Sequence, residues 1–479
     1  MKKRDWMRRE LSLAAALLAG CAAGPDYHRP LSPAPARYTV GAMPEALPDQ
    51  HFVAGADVPA QWWTLFGSPE LDALVATAHD NNPDVQAAAA ALHMARENTA
   101  AQRGAFLPTV DAQLAPTRQK VADPLASPLA SNADLYTLHT AQLNVAYVAD
   151  AFGGVRRQAE ASAAQQDVAR YQYQAVRLTL EANLVMAAIA EAALRAEVAA
   201  TAHVITLARQ QTDAVRRQRQ EGLAGAADVA LQEAALAQVR TSLPPLAKQL
   251  AQQQNLVAVL SGQVPGDAVR TALAFDRLTL PAELPLSLPA RLVEQRPDVR
   301  AAEAQLRQAS AQIGVAAAAR LPNIALSASL GSSALTASTL FHSGTGAWSI
   351  GADLVQPIFH GGALMHQQRA AEAAYDQAAA QYRTAVLSAF QGVADSLQAI
   401  ASDARALQAC IDAESAARSS LDIATRQWQL GAAGHPAVLL ATQTWRQATI
   451  ATIVARAARY ADTVALFQAL GGSWGAADT

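Results

Sequence analysis

Cysteine is nearly absent. The 479 residues hold only Cys21 and Cys410, too few for a disulfide framework or a cysteine-rich zinc site. Aromatic residues are 5% and charged residues 16% of the chain, which argues against a thick globular core. The 37 basic and 40 acidic residues nearly cancel, leaving a formal charge of −3. A nucleic-acid binder needs a strong basic excess to neutralise phosphates, so no nucleic acid is expected as a partner. The longest leading apolar run, Leu11 to Ala19, is far short of the roughly 20 residues a spanning helix requires.

Motifs for chemistry are missing as well. There is no GxxxxGK[ST] loop, no GxSxG elbow and no HExxH pair, which removes the usual nucleotide, serine-hydrolase and zinc-protease readings. His360-Gly361-Gly362 resembles an oxyanion loop, but no nucleophile elbow accompanies it. Its glycines are better explained as ending a strand and starting a helix. The ten histidines are dispersed, and His360 and His366 are poorly spaced for shared ligation on one helix face. The sequence therefore predicts no catalytic residue, no metal site and no cofactor. Cys410 falls inside a long helical stretch and reads as packed and inert.

What is abundant is alanine: hydrophobic residues reach 51%, a composition suited to long, closely packed helices. At the N-terminus, Lys2, Lys3, Arg4, Arg8 and Arg9 precede the short apolar core, the pattern of a secretory signal. Arg8-Arg9 is weak support for twin-arginine export. The core ends in Leu18-Ala19-Gly20-Cys21, which resembles a bacterial lipobox, so a covalent lipid on Cys21 is expected. An ordinary signal peptide with a chance cysteine is the alternative. Ala22, rather than an aspartate, follows the cysteine, as in lipoproteins sorted to an outer membrane. Removing residues 1–20, with five basic and two acidic side chains, leaves the mature chain at −6. Seven prolines between Gly24 and Pro59 favour an extended arm, and Trp62-Trp63 mark the first packed segment.

The chain repeats itself. Pro83-Asp84-Val85 returns as Pro297-Asp298-Val299, Leu107-Pro108 as Leu321-Pro322, and Phe152 and Gly154 as Phe359 and Gly361. Gly222, Gly225, Val229 and Leu231 match Gly431, Gly434, Val438 and Leu440, and Leu260 and Gly262 match Leu470 and Gly472. Two halves of roughly 210 residues share one plan.

Each half opens with a helix, begun by Pro83 or Pro297 in the first helical position with an aspartate beside the positive dipole end. Leu-Pro ends it. Segments of period two follow. Leu143, Val145 and Tyr147 alternate with Gln142 and Asn144. Ile324, Leu326 and Leu330 alternate with Ser327 and Ser329. Trp348, Ile350 and Leu354 alternate with Ser349 and Asp353, while Val110, Ala112 and Leu114 alternate with Asp111 and Gln113. Two strands of roughly ten residues are predicted per half, joined by loops near 117–136 and 332–346. No charge lies between Asp134 and Asp150 or between Arg320 and Asp353. A soluble sandwich with its apolar face inward is one reading. Against it, soluble sheets carry Lys and Glu outside, whereas these carry Ser, Thr, Asn, Gln and Gly. Strands of this length, apolar on one face and small-polar on the other, meet the requirement of a membrane barrel. Four strands cannot close one, and open edges cannot face lipid, so several chains must combine.

After each hairpin comes a very long helix. No Pro or Gly interrupts Val155 to Glu221, and Ala363 to Leu430 contains one Gly and no Pro. Tyr382, Val386, Phe390, Val393, Leu397, Ile400, Ala404, Leu407 and Ile411 step by threes and fours, a coiled-coil spacing. The Gly222–Gly225 and Gly431–Gly434 turns lead back into shorter helices, with Pro244-Pro245 interrupting the first.

Taken in order, LAGCAAGPDYHRP at 18–30, LNVAYVADAFGGVRR at 143–157, EQRPDVRAAEAQL at 294–306, WSIGADLVQPIFHGG at 348–362 and ALGGSW at 469–474 resemble the TolC-type outer-membrane efflux factors, in the lipoprotein branch serving RND pumps. The likeness covers nearly the whole mature chain. It implies a mainly α protein with a transmembrane β-barrel part, in which two tandem repeats supply long coiled-coil helices to an α-barrel. Four strands per protomer would contribute to a twelve-stranded barrel of a homotrimer. The implied partners are a periplasmic adaptor (membrane fusion) protein, an inner-membrane RND transporter and outer-membrane lipid, and the implied role is passive conduction of small molecules. The corresponding division is a signal peptide at 1–20 and a lipidated arm at 21–60. A first repeat at 61–265 has its hairpin at 106–149, and a linker follows at 266–293. The second repeat, at 294–472, has its hairpin at 322–358, ahead of a tail at 473–479. Expected lipid-facing residues are Leu143, Val145, Tyr147, Ile324, Leu326, Trp348, Ile350 and Leu354. In this family the tunnel closes just after the Gly turn, commonly with an acidic residue beside Val-Leu. Here Ala437 and Leu440 occupy those positions, and the first half keeps Asp228. An apolar gate centred on Leu440, with Asp228 as its one acidic ring, is the expectation; simple helix packing is the alternative.

Two other functions fit parts of the chain. A non-channel lipoprotein spacer explains lipid and helices, but not four charge-poor alternating strands. The same fold serving type I protein secretion is the other.

Overall fold

The computed structural model describes residues 22–30, 38–39, 49–122, 125, 127, 129, 131–268, 273–287 and 289–472. Residues 1–20, Cys21 and the tail at 473–479 lie outside them. In chain order the elements are β1 (His51–Ala54), α1 (Pro69–Asn81), α2 (Pro83–Gly104), β2 (Thr109–Lys120), β3 (Leu135–Ala149), α3 (Gly154–Gln220), α4 (Ala226–Thr241), α5 (Leu243–Leu260) and β4 (Glu283–Leu286). Then follow α6 (Pro289–Gln295), α7 (Pro297–Ala318), β5 (Asn323–Ala334), β6 (Gly346–Val355), α8 (Ala363–Gln429) and α9 (His435–Ala469). The duplication is metrical: α2 and α7 each have 22 residues, and α3 and α8 each have 67. The halves part most near the end, where Pro244 in the first turn of α5 removes a backbone donor and splits α4 from α5. α9 runs unbroken for 35 residues.

The chain divides into two compact units. One comprises Met1–Pro30, Ala91–Ala169 and Ala302–Tyr382; the other comprises Leu31–Ala90, Arg170–Ala301 and Arg383–Thr479.

The first unit holds a four-stranded antiparallel sheet of order β2-β3-β5-β6, so each half gives one hairpin and the hairpins join through β3 and β5. The strands are 12, 15, 12 and 10 residues long. β2 continues past Pro116 to Lys120, where a loop was expected, because β2 is an edge strand and a proline there can leave its donor-less nitrogen on the unpaired side. The arm at 22–30 also belongs to this unit. Ala23 N–H donates to Phe152 O at 2.8 Å, and Arg157 reaches Ala23 O, the Asp26 carboxylate (2.7 Å) and Glu160 (2.8 Å). Arg29 pairs with Glu303 at 3.1 Å. This clasp depends on two glycines: a Cβ on Gly24 would lie 2.3 Å from Gly314 Cα, and one on Gly314 would lie 2.9 Å from Ala23 O.

The second unit gathers most of the scarce large aromatics. Trp62 is fully buried, with ring centroids 5.9 Å from Trp63, 6.4 Å from Phe66 and 5.6 Å from Phe467. Tyr460 lies 6.0 Å from Phe66 and 6.1 Å from Phe275, and its hydroxyl donates to Leu278 O at 2.6 Å. β1 pairs in parallel with β4, His51 opposite Glu283. Along α8, Val386, Ala389, Val393, Leu397 and Ile400 are buried in three-four steps, whereas Ala404 and Leu407 are half-buried and Ile411 is exposed.

The clasp predicts that Gly314→Val pushes the arm off its seat. Limited chymotrypsin cleavage at the Tyr27–His28 bond should then accelerate roughly tenfold or more, since local opening controls proteolysis. An unchanged rate would contradict the close packing of these glycines.

Candidate functional site

Direct cross-strand partners share one face of a sheet, so the register alone sorts the side chains. The rows Ala149–Ile324–Leu354, Tyr147–Leu326–Ala352, Val110–Val145–Ala328–Ile350, Ala112–Leu143–Leu330–Trp348 and Leu114–Ala141–Ser332–Gly346 lie on one face. All eight sequence-predicted strand residues fall in these rows. The face is open: Trp348 is 74% and Ile350 78% exposed. The opposite face carries Asp111–Asn144–Ser329–Ser349 and Gln113–Gln142–Gly331–Ala347. It is knitted across strands, with Gln142 donating to Gln113 at 3.3 Å and Ser329 meeting Ser349 at 2.8 Å. A lattice with one apolar face, one hydrogen-bonded polar face and two edges, β2 and β6, has no means of covering its apolar side among the described residues of its own unit.

The second feature is the pair of helical turns. After α3, Gly222 takes φ 76° while Leu223 N–H donates to Gln218 O at 2.7 Å; after α8, Gly431 takes φ 72° while Ala432 N–H donates to Gln427 O at 2.8 Å. Both are left-handed glycine caps that close the last helical carbonyls. Each turn leaves leucines in the open, Leu223 and Leu231 in the first, Leu430 and Leu440 in the second. Leu440 is 66% exposed and Ala437 is exposed on the first turn of α9. Asp228 is exposed too, but its carboxylate accepts from Gly225 N–H at 2.9 Å, satisfying the N-cap donor at the start of α4. The Gly-x-x-Asp spacing is the sequence signal for that role. Behind the second turn, Val438 packs with Ala424, Ala441, Leu421 and Trp428. His435 stands edge-on to Trp428, centroids 5.2 Å apart. Burial lowers its pKa against the opposing pull of Asp228.

Sequence reasoning missed the charged cluster within α8 and α9. Arg459 is buried and donates to Ile400 O, with Asp403, Asp462 and Asp49 acting on it electrostatically. Asp462 is raised to about 7, first by burial and then by Asp403, with Arg459 opposing. Arg459 and Asp462 are three apart on α9, a helix-neighbour spacing, but nothing in the spacing joins them to Asp403 or Asp49. No group of metal-ligating side chains, and no helix long and apolar enough to cross a membrane, occurs among the described residues.

A pair of tandem helix–hairpin–long-helix repeats sharing one two-faced sheet defines an outer-membrane channel of the TolC-like type. The comparisons agree. The model of the family described as outer membrane efflux protein matches residues 74–263 and 288–472, and the chain belongs to that family. It is 30% identical over 469 residues to the pyoverdine export outer membrane protein OpmQ of Pseudomonas putida, covering 97% of both chains. It is also 30% identical over 470 residues to the toluene efflux pump outer membrane protein TtgC of Pseudomonas putida, covering 97% of this chain and 95% of that one. Among solved structures, the outer-membrane channel OprN superposes with a TM-score of 0.85 at 26% identity, covering 95% of this chain and all of OprN. The protein is an outer-membrane component of an efflux system.

The Asp462 carboxyl takes up a proton on folding, since its folded pKa of about 7 exceeds the ordinary aspartate value. Its contribution is complete in acid and is lost as pH rises through about 7. The melting temperature of the wild type should therefore drop between about pH 4 and 7 more than that of Asp462→Asn. Parallel pH profiles would contradict the assignment.

Proposed function

We propose that three copies join edge to edge, β6 of one to β2 of the next, into a closed twelve-stranded barrel. Its apolar face meets lipid and its polar face lines an aqueous lumen. The observation that carries this is the register: every strand contributes apolar residues to one face and small polar ones to the other, and both sheet edges retain unsatisfied ladder groups. Lipid tolerates neither an open edge nor an unpaired amide, and an even strand number above eight closes such a sheet. Leu143, Val145, Tyr147, Ile324, Leu326, Trp348, Ile350 and Leu354 are then the lipid contacts.

α3 and α8 are each about 100 Å long at 1.5 Å per residue. They supply the wall of a conduit that carries small molecules passively from a periplasmic adaptor and a proton-driven inner-membrane transporter. Its lining of Ser, Asn, Gln and Ala discriminates weakly. Relatives named for pyoverdine export and for toluene efflux fit a channel that leaves cargo selection to its pump.

Cys21 carries the lipid. Ala22, the next residue, lies against Gly153: a Cβ on Gly153 would be 3.0 Å from Ala22 Cα. The residue after the cysteine is thus seated at the turn between β3 and α3, at the rim where the sheet gives way to helix and an acyl chain enters the bilayer. Cys21→Ser should abolish incorporation of radiolabelled palmitate; retained label would contradict this site.

The conduit closes at the glycine turns through apolar contacts among exposed leucines, Leu440 foremost. Asp228 serves mainly to cap α4. In planar bilayers the purified protein should show a low resting conductance that Leu440→Asp raises at least tenfold. A silent variant would contradict the apolar gate, and a protein that never conducts would favour a structural spacer.

A further inference from the structure

Midway along α3, Ala192, Arg195, Ala196 and Ala199 share one face at three-four spacing. Thr449, Thr452, Ile453 and Arg456 do the same on α9. The three alanines supply no bulk, so these two faces, Glu414 of α8 and the segment 273–276 border an open cavity of about 500 Å³. That volume lies within the usual range of small-molecule pockets. All of these residues belong to the second unit.

The cavity is mostly apolar, and its few polar groups carry charge of both signs. Leu273 and Phe275 are buried in one wall, with the Phe275 ring edge-on to Tyr460 at 6.1 Å. Arg195 is anchored by an ion pair to buried Glu191, one turn back, yet its Nε has no acceptor among the described residues. Glu414 accepts from Thr449 at 2.8 Å, and Thr452 turns its hydroxyl back to Cys410 O and Ala448 O. The threonine donors are thus spent within the protein. Arg456 and Asp276 are both exposed, and neither enters an ion pair or a side-chain hydrogen bond among the described residues. Opposite charges border one cavity without meeting each other. A molecule that satisfies both must carry both signs, held apart by an apolar middle.

We propose that this cavity binds a short peptide with free termini and small apolar side chains. Its carboxylate goes to Arg456, whose planar fork can hold two carboxylate oxygens at once, and Arg195 adds positive charge beside it. Its ammonium goes to Asp276 and Glu414, and its methyl groups lie against Ala196, Ala199 and Ile453. Extended at about 3.4 Å per residue, a tripeptide spans about 10 Å, which is the width of a rounded space of 500 Å³. A fatty acid would set its tail against Asp276 and Glu414, and a simple amine would leave both guanidiniums without a counter-charge. The site lies outside the sheet and does not depend on how the barrel closes.

Isothermal titration of the full-length protein in detergent with tri-L-alanine, its N-acetyl form and its C-terminal amide tests the assignment. Wild type should bind tri-alanine and bind each blocked form about tenfold more weakly, a factor equal to about 1.4 kcal/mol. Arg456→Gln should weaken the free peptide about tenfold and no longer distinguish it from the amide. Asp276→Asn should do the same for the other end, no longer distinguishing free from N-acetylated peptide. Such paired losses mark direct contact, which a general loosening of the fold does not produce. Ala196→Leu, which fills the cavity, should abolish binding while circular dichroism stays that of wild type. A wild-type protein that does not bind tri-alanine overturns the proposal, as does undiminished binding by Ala196→Leu. An Arg456→Gln variant that still prefers the free acid to the amide tenfold overturns the placement of the carboxylate, and the site with it.

Discussion

A polypeptide that enters hydrocarbon must hydrogen-bond all of its own backbone, and for this chain that requirement falls on one sheet of four strands. The ladder β2-β3-β5-β6 satisfies every internal strand and leaves two edges, and the proposed trimer is what would pair them. Because successive side chains point to opposite faces, the same ladder that satisfies the backbone also separates Trp348, Ile350 and Leu354 from Ser349, Gly351 and Asp353. A slip of one residue would exchange the two faces entirely. Pairing, polarity and assembly are thus one constraint seen from three sides.

Duplication extends that constraint into the helices. Two halves that make matching hairpins must leave the sheet the same way, and the equal 22-residue and 67-residue helices do so. Stiffness in the long pair comes from what they lack: α3 has no interior proline or glycine, and α8 has Gly392 alone. Ending such a helix sharply requires a backbone conformation that few residues accept, and Gly222 and Gly431 supply it. The halves then diverge, Pro244 breaking the first return while the second stays whole, so the repeat is a shared plan with unequal ends.

Much of this was legible in the sequence because it is periodic. Alternation in Trp348-Ser349-Ile350-Gly351 announces a two-faced strand, uninterrupted residues after Val155 announce a long helix, and the paired glycine turns announce two hairpins. What was not legible depends on partners far apart in the chain. The pairing of His51 with Glu283 has no local pattern, being a short parallel ladder between distant segments. The Arg459–Asp403–Asp462 cluster likewise arises only when α8 and α9 come together. The clasp at Gly24 and Gly314 is visible only as a close approach of two backbones. Asp228 shows a subtler limit: its place beside Val229 suggested a gate, while its spacing from Gly225 gives it a capping bond.

The account stands or falls on which face of the sheet meets water. Single cysteines at neighbouring positions of β6, Ser349→Cys and Ile350→Cys in a Cys410→Ala background, test it in a channel reconstituted in a planar bilayer. A bulky, membrane-impermeant maleimide should react with Ser349→Cys and reduce the conductance, while Ile350→Cys should react only with a lipid-soluble maleimide and leave the conductance unchanged. The reverse pattern, or equal labelling of both by the impermeant reagent, would contradict a lumen lined by the polar face and a barrel wrapped in lipid.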